Sequence, residues 1–587
     1  MSPPQPHEHS DQSQGVDFEQ NSSKAKVDIR MKGSDRDVMT LPEGRSGGVA
    51  RSAGVISIAV MASRVLGLVR EMVFAYFFGA SKSYAYDVFV VAFRIPNLLR
   101  DLFAEGALST AFVAVFSDYL VKKDEEEAFR LSNLITTTLV IILGILVVVG
   151  MIFAEQIVGV FASGFKDTPE KFADTVFLTR IMMPFILLIA LAALSMGVLN
   201  ARGRFGVPAL ASSFFNLGSI VGGLVFASLM TDPSNPIAAI RDNPRDGIIG
   251  MAYGVLIGGL FQYAVQWPSL RRAGFRYRPM VSFRDPGVRR VFRLMGPAVI
   301  GAAAVQVNVL VNTNFATSIA GDGPVSWLNY AFRLMQFPIG VFGVAIATAT
   351  LPAISRSAAL DRMSEFTGTL ASSVRLTLLL TIPSAVGLIV LRRPIIALIY
   401  EHGGVFTPSD TERTAAVLAF YAIGLAGYSA VKVLAPAFYA LGDARTPMSI
   451  SLMMIAVNFV MNWILVGILQ ERGLALSTSA VALLNFTLLY VMIRRRVGSI
   501  EDRRLAVTVG KILGASAAMA AACSAFTGLM GEAPGSSLGV KLLHVVVGVG
   551  LGAAVFYVAA SLLRVAELKS AVGTITGRLK RLRRPDV

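Results

Sequence analysis

From about residue 53 onward the chain is a succession of long apolar runs separated by short polar or basic stretches. A helix needs about 20 apolar residues to cross a hydrocarbon core. Fourteen runs reach that length, roughly 53–77, 84–119, 132–159, 174–200, 207–230, 247–269, 293–319, 324–355, 368–391, 414–440, 446–469, 473–493, 506–530 and 538–563. They are continuous rather than alternating, which excludes the short strands of a membrane barrel. The pattern predicts an all-α integral membrane protein with fourteen transmembrane helices. Residues 1–52 hold no apolar run and carry seven basic and eight acidic side chains, so a disordered tail is expected there. The tail lacks a basic stretch followed at once by an apolar one, so it does not read as a signal peptide.

Composition agrees with the pattern: 54% of the 587 residues are hydrophobic, 16% are charged, and the mean hydropathy is +0.62. A soluble chain would carry about a quarter charged residues. The single cysteine, Cys523, excludes an internal disulfide framework. With four histidines, two of them in the tail, neither a metal site nor a cofactor is expected. The net charge of +16 takes its meaning from placement. Loops after even-numbered segments, with the C-terminal stretch, hold about three times as many Lys and Arg as loops after odd-numbered ones, which predicts a cytoplasmic even side and two cytoplasmic termini. The cluster from Arg271 to Arg293 reads as a topology signal in contact with anionic lipids, not as a nucleic-acid surface.

The chain also repeats itself. Ala92-Phe93-Arg94 recurs as Ala331-Phe332-Arg333, and the same offset relates Phe103 to Phe342, Gly203 to Gly442 and Pro208 to Pro447. An even number of segments per copy gives two copies of like orientation, the parallel-repeat plan of a transporter with its site between two lobes. The expected organisation is a tail (1–52), a first six-helix lobe (53–269) and a second (270–493) led by the basic loop. Two extra helices (494–563) and a basic C-terminus (564–587) complete it.

Within the segments lie Arg64, Arg70, Arg94, Arg100, Arg180, Arg333, Arg375 and Lys432. An arginine at the centre of a membrane helix costs at least about 2.5 kcal/mol, so it needs a purpose. Arg180 and Arg375 lie near segment ends, where snorkelling is the expected explanation. At about 100° per residue, Asp87, Arg94, Asp101 and Glu105 share one helical stripe, so these acids are expected to neutralise Arg94. Arg64, Arg70, Arg100 and Arg333 have fewer evident partners; Glu71 adjoins Arg70 but points about 100° away. These four are expected to line a water-filled cationic cavity suited to diphosphate or carboxylate groups, which a guanidinium grips with paired hydrogen bonds. No phosphate loop or HExxH motif occurs, so an enzyme is not expected.

The runs Ser63–Glu71 (SRVLGLVRE), Ala85–Val113, Ser326–Ala345 and Val431–Met448 (VKVLAPAFYALGDARTPM) resemble the signature of the MurJ (MviN) family of lipid II flippases, part of the multidrug/oligosaccharidyl-lipid/polysaccharide exporter superfamily. The resemblance spans all fourteen segments. It implies two six-helix lobes plus a hydrophobic groove formed by the last two helices. It further implies a bacterial inner-membrane protein involved in peptidoglycan synthesis and cell shape, which moves an undecaprenyl-diphosphate-linked precursor to the outer leaflet by alternating access, with the cell-wall synthesis machinery as a possible partner. Arg64, Arg70, Arg100 and Arg333 match the family's essential cavity arginines, Asp87 and Glu105 its important acids, Arg94 a basic position, and Lys432 lies in a matching segment. The chain departs from some members at Phe332, where they have an acid, and within Glu401–Gly404, where they have a lysine. Some members carry an acidic ion site in segments 7 and 11. Here segment 7 has no acid and segment 11 offers Asn458 and Asn462, so sodium coupling is not expected. A flippase for another polyprenyl-linked glycan shares the same anchor chemistry, and a multidrug exporter is disfavoured by the arginines.

Overall fold

The computed structural model describes residues 46–102, 108–531 and 537–568, and every structural statement below concerns these. The packing described below is within the unit that begins at Ser52. The described residues contain helices and turns and no strand. The helices of the first half are α1 (Ser46–Phe78), α2 (Ala85–Arg100), α3 (Ser109–Lys122), α4 (Glu125–Ile152), α5 (Ala154–Phe161), α6 (Pro169–Met182), α7 (Phe185–Ala201), α8 (Gly206–Met230), α9 (Pro236–Asp242), α10 (Pro244–Ala264) and α11 (Trp267–Arg272). The second half follows with α12 (Pro286–Thr317), α13 (Pro324–Pro338), α14 (Ala345–Ala359), α15 (Met363–Val390), α16 (Arg392–Ile399), α17 (Pro408–Ile423), α18 (Leu425–Ala440), α19 (Arg445–Leu469) and α20 (Glu471–Val497). Two more, α21 (Asp502–Met530) and α22 (Leu538–Leu562), complete it.

Eleven helical stretches among the described residues are long and apolar enough to cross a membrane. The other three predicted segments are helical too, in α1, in α2 with α3, and in α12; two of them carry the arginines at issue. Several segments read as continuous are broken. Pro184 cannot donate a backbone hydrogen bond, and it separates α6 from α7. Past Pro338, residues Ile339–Val344 adopt the wider π-helical turn before α14 begins. Two boundaries lie earlier than the apolar pattern places them. Helix α1 begins at Ser46, within the predicted tail, and α12 begins at Pro286 because Asp285 caps it, accepting from the backbone N–H of Gly287 and Val288 at 2.8 and 3.3 Å.

The internal repeat is visible as packing. In the first half α2 packs on α6, α3 and α4 on α7, α5 on α6, and α7 on α10; in the second, α13 packs on α17, α14 and α15 on α18, α16 on α17, and α18 on α20. The offset of the sequence repeat thus carries one set of neighbours onto the other. Gly203 and Gly442, a repeated pair, both take left-handed backbone just past α7 and α18, with φ of 71° and 74°. Small residues let helices approach closely, as in membrane bundles generally. A Cβ on Gly250 of α10 would lie 2.2 Å from the Ala227 nitrogen of α8, and one on Gly254 would lie 2.4 Å from the Gly223 Cα.

Candidate functional site

The two halves meet in two places: the start of α12 packs on α3 and α4, with Arg290 2.6 Å from Asp118, and α1 and α2 meet α12 and α13 toward the end of the bundle where the odd-numbered loops lie. There Asp87, in the first turn of α2 and wholly buried, faces the start of α13. It accepts from the backbone N–H of Gly323 and of Ser326, both at 2.9 Å, and from the Ser326 hydroxyl at 2.5 Å. These are N–H groups a helix start leaves unpaired, and a carboxylate is favoured there by the helix dipole as well. Lys171, buried at the start of α6, completes the cluster at 3.0 Å from Asp87 and 3.1 Å from Asp322. Asp87 and Ser326 are 239 residues apart, the repeat offset itself. Equivalent positions of a two-fold repeat touch only close to its axis.

About one helical turn deeper lies a second shared cluster around Glu71 of α1, which is buried. One of its oxygens accepts from Arg70 at 3.3 Å and from Arg333 of α13 at 2.9 Å. The other accepts from the Tyr86 hydroxyl and from Asn329 at 3.3 Å. Tyr86 stacks on Tyr330 with ring centroids 4.7 Å apart. The Arg70 guanidinium lies over the rings of Phe93 and Phe215. Its Nε is buried and without a hydrogen-bond partner among the described residues.

Arg64 lies nearly two turns further along α1 and is partly exposed. It reaches α13, donating to the Gln336 carbonyl at 3.5 Å, and its guanidinium fills the space left by the absent side chain of Gly340, where a Cβ would lie 1.8 Å from Nη1. At the far end of α2, Arg100 pairs with Asp101 at 2.9 Å, and Asp101 accepts from Gln306 of α12 at 3.5 Å. Side-chain exposure is 10% for Arg70, 37% for Arg333 and 22% for Arg100, so the last two reach solvent-sized space.

Several expectations are corrected. Two acids of the α2 stripe have other partners, Asp87 in Lys171 and the start of α13 and Asp101 in Arg100, while Arg94 donates to the Thr313 hydroxyl of α12 at 2.7 Å; the third acid, Glu105, lies outside the described residues. The single-helix projection ignored partners on other helices. Glu71, set aside because it points away from Arg70 along the helix, is a partner of both Arg70 and Arg333, since the long arginine side chains bridge the angle. Arg375 does not snorkel. It is buried between Glu567 at 2.6 Å and Glu501 at 2.8 Å. Lys432 is exposed on α18. Lys171, Asn329, Thr313 and Gln336 were missed. Lys171 stands in a predicted loop and the others are neutral, so neither apolar pattern nor charge marks them.

Segments 7 and 11 meet in a cluster of amides. Asn458 and Asn462 of α19 are buried and donate to Asn308 and Asn312 of α12 at 2.5 to 3.0 Å, and Ser477 of α20 donates to Asn458 at 2.8 Å.

The family model described as "Lipid II flippase MurJ" matches residues 74–540. A protein named lipid II flippase MurJ from Burkholderia cenocepacia is 36% identical over 450 residues, 76% of this chain and 84% of its own length. A solved structure described as lipid II flippase MurJ in an inward closed conformation superposes with a TM-score of 0.71 at 27% identity, covering 87% of this chain and 98% of that one. An inward-facing multidrug resistance transporter of the MATE family superposes with a TM-score of 0.56 at 13% identity over 76% of this chain and 95% of its own, a likeness of fold alone. The chain belongs to the Lipid II flippase MurJ family, and is a transporter rather than an enzyme.

Proposed function

We propose that the chain carries lipid II from the cytoplasmic to the outer leaflet of the bacterial inner membrane by alternating access. The observation that carries the reading, beside family membership, is the pairing of arginines from both halves on one interface. Arg70 and Arg333 share Glu71, and Arg64 reaches across to Gly340 on the helix line of Arg333. Arg64, Arg70, Arg100 and Arg333 hold the diphosphate, with the unpaired Nε of Arg70 as a donor for one of its oxygens. Asp87 and Arg94 join the halves, Glu105 and Lys432 keep the conformational roles the resemblance gives them, and the prenyl chain stays in lipid beside α21 and α22. The matching helix neighbours support two six-helix lobes, residues 53–269 and 270–493, within fourteen spans. The basic even loops support a cytoplasmic even face with both termini on that side. The Asp87 and Glu71 clusters then close the outer face. The amide cluster supports coupling to membrane potential rather than sodium. Anionic lipids and the cell-wall synthesis machinery are partners in this reading.

Depleting the protein from cells and measuring which lipid-linked precursor accumulates in the inner leaflet tests the function. Lipid II is expected to accumulate; accumulation of another polyprenyl-linked glycan, with lipid II transport intact, would overturn the assignment.

A further inference from the structure

Away from the arginine interface, the last two helices form a pocket of about 510 Å³ between the start of α21 and the end of α22. Arg503, Arg504, Lys511 and Arg564 line it, with two acids, Glu501 and Asp502. Both acids are already engaged. Glu501 accepts from Arg375 and Arg504 on one oxygen, at 2.8 and 3.2 Å. Asp502 accepts from Tyr490, from Ser499 at 3.2 Å and from Arg494 at 2.8 Å.

That leaves Arg503, Lys511 and Arg564 around one pocket without a carboxylate partner among the described residues. Their placement is fixed by the end of α22. Arg564 adopts left-handed backbone, φ 53°, the Val565 N–H returns to the Ala560 carbonyl at 3.0 Å, and Lys511 donates to the Arg564 carbonyl at 3.4 Å. The stretch after Leu568 brings no surplus of acid, since Asp586 stands there among Lys569, Arg578, Lys580, Arg581, Arg583 and Arg584. Three clustered cations at one site repel each other and attract an anion.

The neighbours say what kind of anion. Val507 and Leu513 of α21 and Leu562 and Leu563 beside Arg564 are large apolar side chains 41% to 78% exposed, continuing from the pocket along the two helices. A ligand filling both regions has an anionic head and an apolar chain. We propose that this pocket binds the phosphate of an anionic phospholipid, whose acyl chain lies against α21 and α22. Basic pockets at the ends of membrane helices recognise such headgroups through charge-assisted hydrogen bonds. The assignment rests on charge and shape, and holds whichever leaflet the pocket faces and whatever the transported substrate is. It also gives Glu501 a second meaning. A phosphate on Arg504 competes with the Glu501 carboxylate that Arg504 shares with buried Arg375, so lipid binding acts on the clasp holding α21 and α22 to α15.

The test is native mass spectrometry of the full chain in detergent, titrated with phosphatidylglycerol and, separately, phosphatidylcholine. Phosphatidylglycerol is expected to be retained about ten-fold better, and the triple variant R503Q/K511Q/R564Q to lose that preference. A variant removing as much charge from the end of α11 and the loop after it, R271Q/R272Q/R276Q, is expected to keep it. Equal retention of the two lipids, or equal loss in both variants, would overturn the proposal. So would displacement of the lipid by millimolar inorganic phosphate, which would mark a site for free anion. The single variants R503Q and R564Q, each on an exposed side chain, are expected to weaken retention about two-fold or more, and full retention in both overturns the proposal even if the triple variant does not fold.

Discussion

Arg64 and Arg70 lie on one helix within two turns of each other, yet their surroundings set opposite demands. Arg70 is buried beside the carboxylate of Glu71, whereas Arg64 is partly exposed and meets a backbone carbonyl and the bare face of Gly340. Removing one member of a buried ion pair typically costs about 3–5 kcal/mol because a charge is left uncompensated. Glu71→Gln is therefore expected to lower the melting temperature and abolish transport together. Arg64→Ala should abolish transport while leaving the melting temperature within a degree or two of the parent, about the scale of a surface substitution. Thermal unfolding of the purified variants, read beside complementation of a depleted strain, checks both; a large loss of stability in Arg64→Ala would mean that its contact with α13 holds the fold. The arginines themselves were legible in the sequence, because a charge inside an apolar run stands out. Their partners were not, because Asn329, Gln336 and Thr313 are neutral, and Glu71 reaches its second arginine only when α13 is folded against α1.

Helices in this protein are punctuated by glycines with two different duties. Gly250 of α10 lets the α8 backbone approach, and a Cβ there would overlap backbone atoms that cannot move aside. The nearest neighbour of Gly340, in the π-helical turn after α13, is the tip of Arg64, a flexible group able to swing away. Gly250→Ala is thus expected to destabilise by about 1–3 kcal/mol through overpacking. Gly340→Ala should fold normally, with the helix gain of about 1 kcal/mol that alanine brings over glycine, and fail to transport because Arg64 is displaced. Melting curves and transport assays separate the two outcomes; a Gly340→Ala protein that transports normally would remove Arg64 from the substrate path. The existence and order of these helices were legible from apolar run length. Their breaks were less so, because a proline or glycine within a run marks a weak point without saying whether packing keeps the helix straight across it.

At the scale of the whole molecule, the repeat offset found in the sequence reappears as matched helix neighbours and as the contact of Asp87 with Ser326. What no single segment discloses is which face the halves close, since that depends on contacts between them. A neutral amide cluster links α12 and α19, and the proposed coupling therefore calls on charge movement, in which each charge crossing the full field gains about 2.3 kcal/mol per 100 mV. Vesicles whose potential is collapsed by an ionophore are expected to stop flipping, whereas replacing sodium with potassium at constant potential should change the rate less than about two-fold. Sodium dependence with indifference to potential would make the amide cluster an ion site.

The most direct measurement asks whether the face closed here must open. Lys82, in the loop after α1, donates to the Gly404 carbonyl of the loop before α17 at 2.6 Å, across the two halves and away from the arginines. The double variant Lys82→Cys/Val405→Cys, joined by a short reducible crosslinker in vesicles containing fluorescent lipid II, fixes that face shut. Flipping is expected to fall at least about ten-fold on crosslinking and to return on reduction, since a carrier that cannot open its outer face releases nothing there. Undiminished flipping by the crosslinked protein would contradict alternating access between these halves.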